Sequence, residues 1–278
     1  MLTDFQTISV APLSPVIGAE VSGIDLSKPM GQQTFHELHD ALMTHLVLFF
    51  RDQDMTLEQH KDFGRLFGEL HVHPAAPGPG GHPEVIKVHA DENSSWVVGE
   101  TWHSDVTCDD EPPMGSILHI HEVPASGGDT MYANMYRAYE ALSQPVRDML
   151  DRLTAVHDST HTLTVRYGED GRFRDPDVRY PNAVHPVVRT HPVTGRKGLY
   201  VNSSYTTAIN GVSKKESDAL LDMLFRHIAT PEFHCRFRWR PKSVAFWDNR
   251  AAQHKAVWDY FPETRSGYRV TVKGDRPF

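Results

Sequence analysis

Between Cys235 and Val272 the chain carries four short runs of apolar and β-favouring residues: Cys235–Trp239, Ser243–Trp247, His254–Val257 and Tyr268–Val272. Polar turns part them, and no helical pattern intervenes. Strand follows strand, so these runs must find their partners in one another and in strands from earlier in the chain. The earlier strand signals are Leu46–Phe50, Val85–His89, 102–107, 116–123, Thr130–Ala133, Val184–Arg189 and Gly198–Val201, with short strands and turns over 6–25, among them Gly18–Leu26. They do not alternate regularly with helices. That order predicts a mainly β fold, a sandwich or barrel-like core dressed by a few helices.

The helices announce themselves by spacing. Phe35, Leu38, Leu42 and Leu46 recur at helical intervals. Thr56 with Gln59, and Ser213 with Glu216, are capping boxes. The first opens a helix carrying Leu57, Phe63 and Phe67; the second opens one with Leu220, Leu221, Leu224 and Ile228. Tyr136–Leu153 reads as helix broken at Pro145, and Pro74–Pro83 as loop. Thr160–Asn182 is polar, weakly periodic and rich in Arg, Asp and Gly, and reads as a lid or excursion. No repeat or linker divides the chain, so 1–278 is expected to form a single domain.

Composition narrows the function. Thirteen Phe, nine Tyr and five Trp supply a large core, and a net charge of −8 without any basic run argues against nucleic acid as a partner. Two cysteines make no disulfide framework and suit a reducing cytoplasm. There is neither a signal peptide nor an apolar run long enough for a membrane span. The oddity is 18 histidines.

One of them, His103, stands two residues before Asp105 in Thr101-Trp102-His103-Ser104-Asp105-Val106-Thr107. On a strand the two side chains share a face. One imidazole and one carboxylate suit a divalent metal, and a second histidine would complete a facial triad with three open positions, the arrangement of non-haem Fe(II) oxygenases. Such a pair alone is commonplace. The third ligand expected is His254, in Phe246-Trp247-Asp248-Asn249-Arg250-Ala251-Ala252-Gln253-His254. Beyond it Arg265 and Arg269, four apart, share a strand face, and arginine is the residue for carboxylates and similar oxyanions.

In these segments, with Gly18–Leu26, Phe67–Pro74, Gly127-Gly128-Asp129-Thr130 and His191-Pro192, the chain resembles the TauD/TfdA family of Fe(II)/2-oxoglutarate-dependent dioxygenases over nearly its whole length. The resemblance implies a double-stranded β-helix (jelly-roll) core, with Fe(II) held by His103, Asp105 and His254. It implies that 2-oxoglutarate chelates the iron through its ketoacid end while its far carboxylate meets Arg265 and Thr130. It further implies that His73, Arg269 and the backbone N–H of Val106 face a small anionic substrate, and that the chain assembles as a dimer or tetramer. With O2 as the third participant, 2-oxoglutarate would leave as succinate and carbon dioxide while a C–H bond is oxidised. Relatives release sulfite from sulfonates, or cleave alkyl sulfates and aryloxyalkanoates, by hydroxylating the carbon beside the heteroatom. Taurine-type members carry a Tyr three residues after the histidine matching His73, and an Asn four before the first ligand. Here Ala76 and Gly99 stand there, so two polar groups are lost, space is gained, and taurine itself fits poorly.

Other readings stay open on the sequence. The same cofactors drive desaturation and amine oxidation. A cupin-like binding module would keep the metal without turnover, and a zinc hydrolase is opposed by the absence of His-Glu-x-x-His. His119/His121 and His71/His73 are further pairs, each lacking a suitably placed carboxylate and third histidine. Trp96 and Tyr205 are candidates for the pocket wall. Trp102 and Trp247 read as packing residues, and Cys108 has no base to make it a nucleophile.

Overall fold

The computed structural model describes residues 5–73, 78–160 and 181–278. Its main sheet has seven strands in the order β1-β2-β3-β13-β5-β15-β4. Their ranges are β1 Ser9–Pro12, β2 Ala19–Ser22, β3 Val47–Phe50, β4 Val85–Ala90, β5 Gly115–Glu122, β13 Ser243–Asp248 and β15 Arg265–Val272. All neighbours are antiparallel except β2 and β3. A second sheet, β12 (His234–Phe237), β6 (Thr130–Asn134) and β14 (Ala252–Ala256), is antiparallel throughout.

The two sheets face each other across one apolar layer. Phe49 of β3, Tyr132 of β6, Phe237 of β12 and Trp247 of β13 meet there, and Phe49 stacks on Phe237 with ring centroids 4.0 Å apart. The outer face of the main sheet is covered by α1 (Gln32–His45) and α2 (Leu57–Arg65). Leu38, Leu42 and Phe63 from these helices pack on Leu48, Phe50 and Phe246. A strand buried on both faces has no polar side to show, which is why Val47–Phe50 is an unbroken apolar run.

A second lobe packs α3 (Met135–Glu140) and α5 (Lys214–Ile228) against β7 (Thr154–Asp158), β9 (Val188–Thr190), β10 (Lys197–Leu199) and β11 (Thr206–Ile209). β8 (Asn182–Pro186) pairs with β7.

Both capping boxes are formed as expected, with Gln59 and Glu216 donating backbone N–H to Thr56 and Ser213. Three expectations need correction. The helix over Tyr136–Leu153 is two, α3 and α4 (Gln144–Leu150), and the break falls before Pro145. Proline has no N–H to give and a fixed φ, so it fits the first turn of a new helix, which here begins after Ser143. Strands β7, directly after that region, and β11 had no clear signal in the sequence.

The second correction concerns 102–107, and the third Gly18–Leu26. Residues 102–107 are not a strand: His103 makes one isolated bridge to His254, and 105–108 is a turn. The strand expected over Gly18–Leu26 shrinks to Ala19–Ser22. Most of the lid expected over 160–182 lies outside the described residues, as does Ala76.

Candidate metal centre and active site

His103 and His254 meet through their backbones. Each donates its N–H to the other's carbonyl, at 3.1 and 2.8 Å, and opposed residues of an antiparallel pair direct their side chains to one face. The rings lie 4.1 Å apart, centroid to centroid. Asp105 arrives by another route. The turn after Ser104 sets Val106 at φ 48°, a left-handed conformation rare for a β-branched residue, and swings the Asp105 carboxylate back beside the imidazoles. His103 Nε2 is 3.7 Å from Asp105 Oδ1. Among the described residues these three form the one group of His, Cys, Asp or Glu side chains spaced to hold a metal, one ligand atom of each within 4.8 Å of the others. All three are buried.

The surroundings fix the state of each donor. The Thr101 carbonyl lies 2.7 Å from His103 Nδ1. A carbonyl only accepts, so Nδ1 carries the proton and Nε2 presents its lone pair to the site. Burial holds His254 well below the ordinary histidine range, so it stays neutral. Burial alone would raise the Asp105 carboxyl. Arg269, with the Ser116 hydroxyl bonded to the carboxylate, more than reverses this, and the carboxyl's pKa falls below the usual carboxylate range. Arg269 Nη1 donates to Asp105 Oδ1 at 2.6 Å, and Ser116 Oγ donates to Oδ2 at 2.7 Å. Two neutral imidazoles and one ionised carboxylate are the donor set for a borderline divalent ion, and they fit Fe(II).

The Trp247-Asp248-Asn249-Arg250 segment builds the support. Asn249 Oδ1 accepts from the Asp105 N–H and from Trp247 Nε1, and Asn249 Nδ2 donates to Ser116 Oγ. A closed ring of hydrogen bonds thus runs from the Asp105 backbone to its own carboxylate. Asp248 accepts two bonds from the Arg250 guanidinium and lies 3.1 Å from His191 Nε2, pinning the turn that follows β13. Trp247 packs against His254 at 4.6 Å.

The pocket beside the triad is walled by Val88, Val98, Leu118, Tyr132, Arg265 and Arg269, with Gly99 and Thr130 also in contact. Arg265 Nη2 donates to Thr130 Oγ1 at 3.2 Å, and Trp239 Nε1 donates to the same oxygen at 2.9 Å. Gly99 has φ +85°, and a Cβ there would sit 3.0 Å from His103 Cε1. The polar side chain absent at 99 therefore leaves the wall beside His103 bare. His73 borders the same charges: burial, with Arg269 next in effect, lowers its pKa to about 4.

Arg265 and Arg269 do share one side of β15, but Arg269 is already engaged with a metal-ligand candidate, which its spacing did not foretell. Ser116 and Tyr132 were missed altogether. Each is one residue in an ordinary strand, and only cross-strand register sets it against the triad. Among the other pairs, His119 Nε2 lies 2.9 Å from the Gln53 carbonyl and His71 Nε2 lies 3.1 Å from Asp109, so both are engaged in local contacts. Trp96 and Tyr205 are half-buried and stand outside this wall. Trp102 packs on His234, and burial pushes the Cys108 thiol up to about 12, far from a nucleophile's range. No helix among the described residues is long and apolar enough to cross a membrane.

Comparison with known proteins agrees with this geometry. The family model described as taurine catabolism dioxygenase TauD, TfdA family, matches residues 9–271. An α-ketoglutarate-dependent sulfate ester dioxygenase of Pseudomonas putida is 34% identical over 285 residues, covering 97% of this chain and 91% of its own. The crystal structure of a taurine dioxygenase from Burkholderia xenovorans matches with a TM-score of 0.84 at 41% identity, covering 98% of this chain and 91% of that one. A structure of AAD-2 in complex with Mn(II) and N-oxalylglycine matches with a TM-score of 0.79 at 29% identity, covering 98% and 99%. The chain belongs to the TauD/TfdA family of 2-oxoglutarate (α-ketoglutarate)-dependent dioxygenases, oxidoreductases that work with Fe(II), 2-oxoglutarate and O2.

Proposed function

We propose that this protein hydroxylates a C–H of a small organic anion of the sulfonate, alkyl sulfate or aryloxyalkanoate class. In this reading His103, Asp105 and His254 hold the iron, and residues 1–278 form one dioxygenase domain whose two facing sheets are a double-stranded β-helix. Two free, buried cysteines suit a cytoplasmic setting. Bound iron, 2-oxoglutarate and dioxygen supply the oxidising power, with 2-oxoglutarate leaving as succinate and carbon dioxide.

The chain's own groups divide the remaining work. Arg265 is buried, fixed by Thr130 and Trp239, and stays charged at any working pH, so it meets the far carboxylate of 2-oxoglutarate. Among the described residues its Nε has no hydrogen-bond partner, which leaves a donor for that anion. Arg269 holds Asp105 with Nη1, and its buried Nε is likewise unmatched among the described residues. That donor, with His73 and the Val106 N–H, receives the anionic head of the substrate. His73 is neutral at pH 7, so it serves there as a hydrogen-bonding group and not as a second cation.

The observation that carries this reading is the placement of two buried arginines on one strand beside a buried His–Asp–His group: two anions are provided for in one pocket. The bare wall at Gly99 favours an anion bulkier than taurine. A coupled succinate assay with Fe(II), 2-oxoglutarate and a panel of sulfonates, sulfate esters, phenoxy acids and amino-acid derivatives tests it. Substrate-dependent succinate with release of sulfite, sulfate or phenol is expected. No turnover on any of the first three classes, with turnover on amino-acid derivatives, would refute the substrate class.

A further inference from the structure

Tyr132 holds an unexplained hydroxyl. It lies at the centre of β6, fully buried, and among the described residues its OH has no hydrogen-bond partner. Leaving a phenol unmatched in an apolar layer costs free energy that a phenylalanine would avoid. Register shows what the residue is beside. Tyr132 is paired with His254 on β14, and His254 is bridged in turn to His103, so one cross-strand row carries two metal-ligand candidates and then this tyrosine. Two residues earlier on β6, and so on the same face, is Thr130, which accepts from Arg265. The ring is held by Phe49, Trp247 and His254, at centroid distances of 5.5, 5.8 and 6.1 Å. Both Tyr132 and Arg265 border the pocket.

We propose that Tyr132 is a cosubstrate-binding residue: its hydroxyl donates a hydrogen bond to the far carboxylate of 2-oxoglutarate, beside Arg265 and Thr130. A phenol titrates near pH 10 when unperturbed, so at working pH the hydroxyl carries its proton and serves as a donor. Two donors in one pocket, Tyr132 OH and Arg265 Nε, are each without a partner among the described residues. A carboxylate has lone pairs enough to satisfy both. The inference rests on the assignment of Arg265 to that carboxylate, and the test separates the two.

The test is equilibrium binding by calorimetry under argon, on the Fe(II)-loaded full chain, with 2-oxoglutarate and with 2-oxobutyrate. The second ligand keeps the ketoacid end and lacks the far carboxylate. Tyr132→Phe deletes one oxygen and keeps the ring packing. It is expected to weaken 2-oxoglutarate about ten-fold to a hundred-fold, the range for loss of a hydrogen bond to a charged group, and to leave 2-oxobutyrate unchanged. Because the ratio of the two affinities is read within one protein sample, a reduced folded fraction does not alter it. Unchanged 2-oxoglutarate affinity, or equal weakening of both ligands, would overturn the inference. Arg265→Met is the control. If it too spared the discrimination between the ligands, the assignment of Arg265 itself would fall; if it abolished that discrimination while Tyr132→Phe did not, only the tyrosine's role would.

Discussion

Replacing Arg269 by methionine should cost the metal-free protein far more than the metal-loaded one. Arg269 and Asp105 are 6% and 3% exposed, and their contact is 2.6 Å. Methionine keeps much of the side-chain length and removes the charge, which leaves Asp105 with Ser116 alone on its carboxylate. Breaking a buried pair from one side costs about 3–5 kcal/mol, because the other charge stays behind without its partner. For a domain of this size each kcal/mol shifts Tm by roughly 2 °C. The metal-free variant should therefore melt about 6–10 °C below the parent. A divalent cation on His103, Asp105 and His254 supplies the missing positive charge, so saturating Mn(II) should recover at least half of that deficit. Differential scanning fluorimetry of both proteins, with EDTA and with Mn(II), and without 2-oxoglutarate or substrate, reads this directly. An equal deficit in the two conditions, or none in either, would refute the argument that Arg269 holds the carboxylate for the metal.

The other predictions concern the rest of the triad and its support. His254→Ala should abolish substrate-dependent succinate formation and weaken Fe(II) binding, and a variant that retains turnover would remove this residue from the ligand set. Ser116→Ala, which takes away the bond to Asp105 Oδ2, should lower metal affinity about 10–100-fold with little change in the 2-oxoglutarate requirement at saturating metal; titration of the apoprotein checks it. Acid should destabilise the fold by a route outside the site. Burial lowers His60 and His157 to about 3 and His119 to about 4, against about 6.5 when unfolded. Below pH 6.5 the unfolded chain therefore takes up protons that the native chain refuses. Stability is complete above that pH and drains as it falls toward 4, by about 2–3 kcal/mol per histidine at pH 4.5. Thermal melts from pH 7.5 to 4.5 should show a steep decline, and a flat profile would count against it.

Much of the site was legible before any coordinates. Arg265 and Arg269 lie on a strand whose period of two settles that they share a side. His103 and Asp105 were recognisable as a candidate ligand pair, and they do come together, yet for a reason other than a shared strand face. Val106, Thr107 and Trp102 favour strand, and a strand would have brought the two side chains to one face. The chain instead turns there, with Val106 left-handed, because the backbone pairing of His103 with His254 and the bond from the Asp105 N–H to Asn249 outweigh local preference. Ser116 and Tyr132 had no local signal, since nothing within a few residues distinguishes them from any strand position.

What the sequence determined by itself was the kind of structure and the kind of chemistry. Periodicity and capping depend on neighbours a few residues apart, and a metal-binding residue type advertises itself wherever it stands. What only the tertiary structure decided was which groups meet. Arg269 answers Asp105 across 164 residues of chain, and Thr130 answers Arg265 across 135. Charge and hydrogen bonding in a buried site act through space over a few ångströms, and that distance is set by sheet register and not by position along the chain.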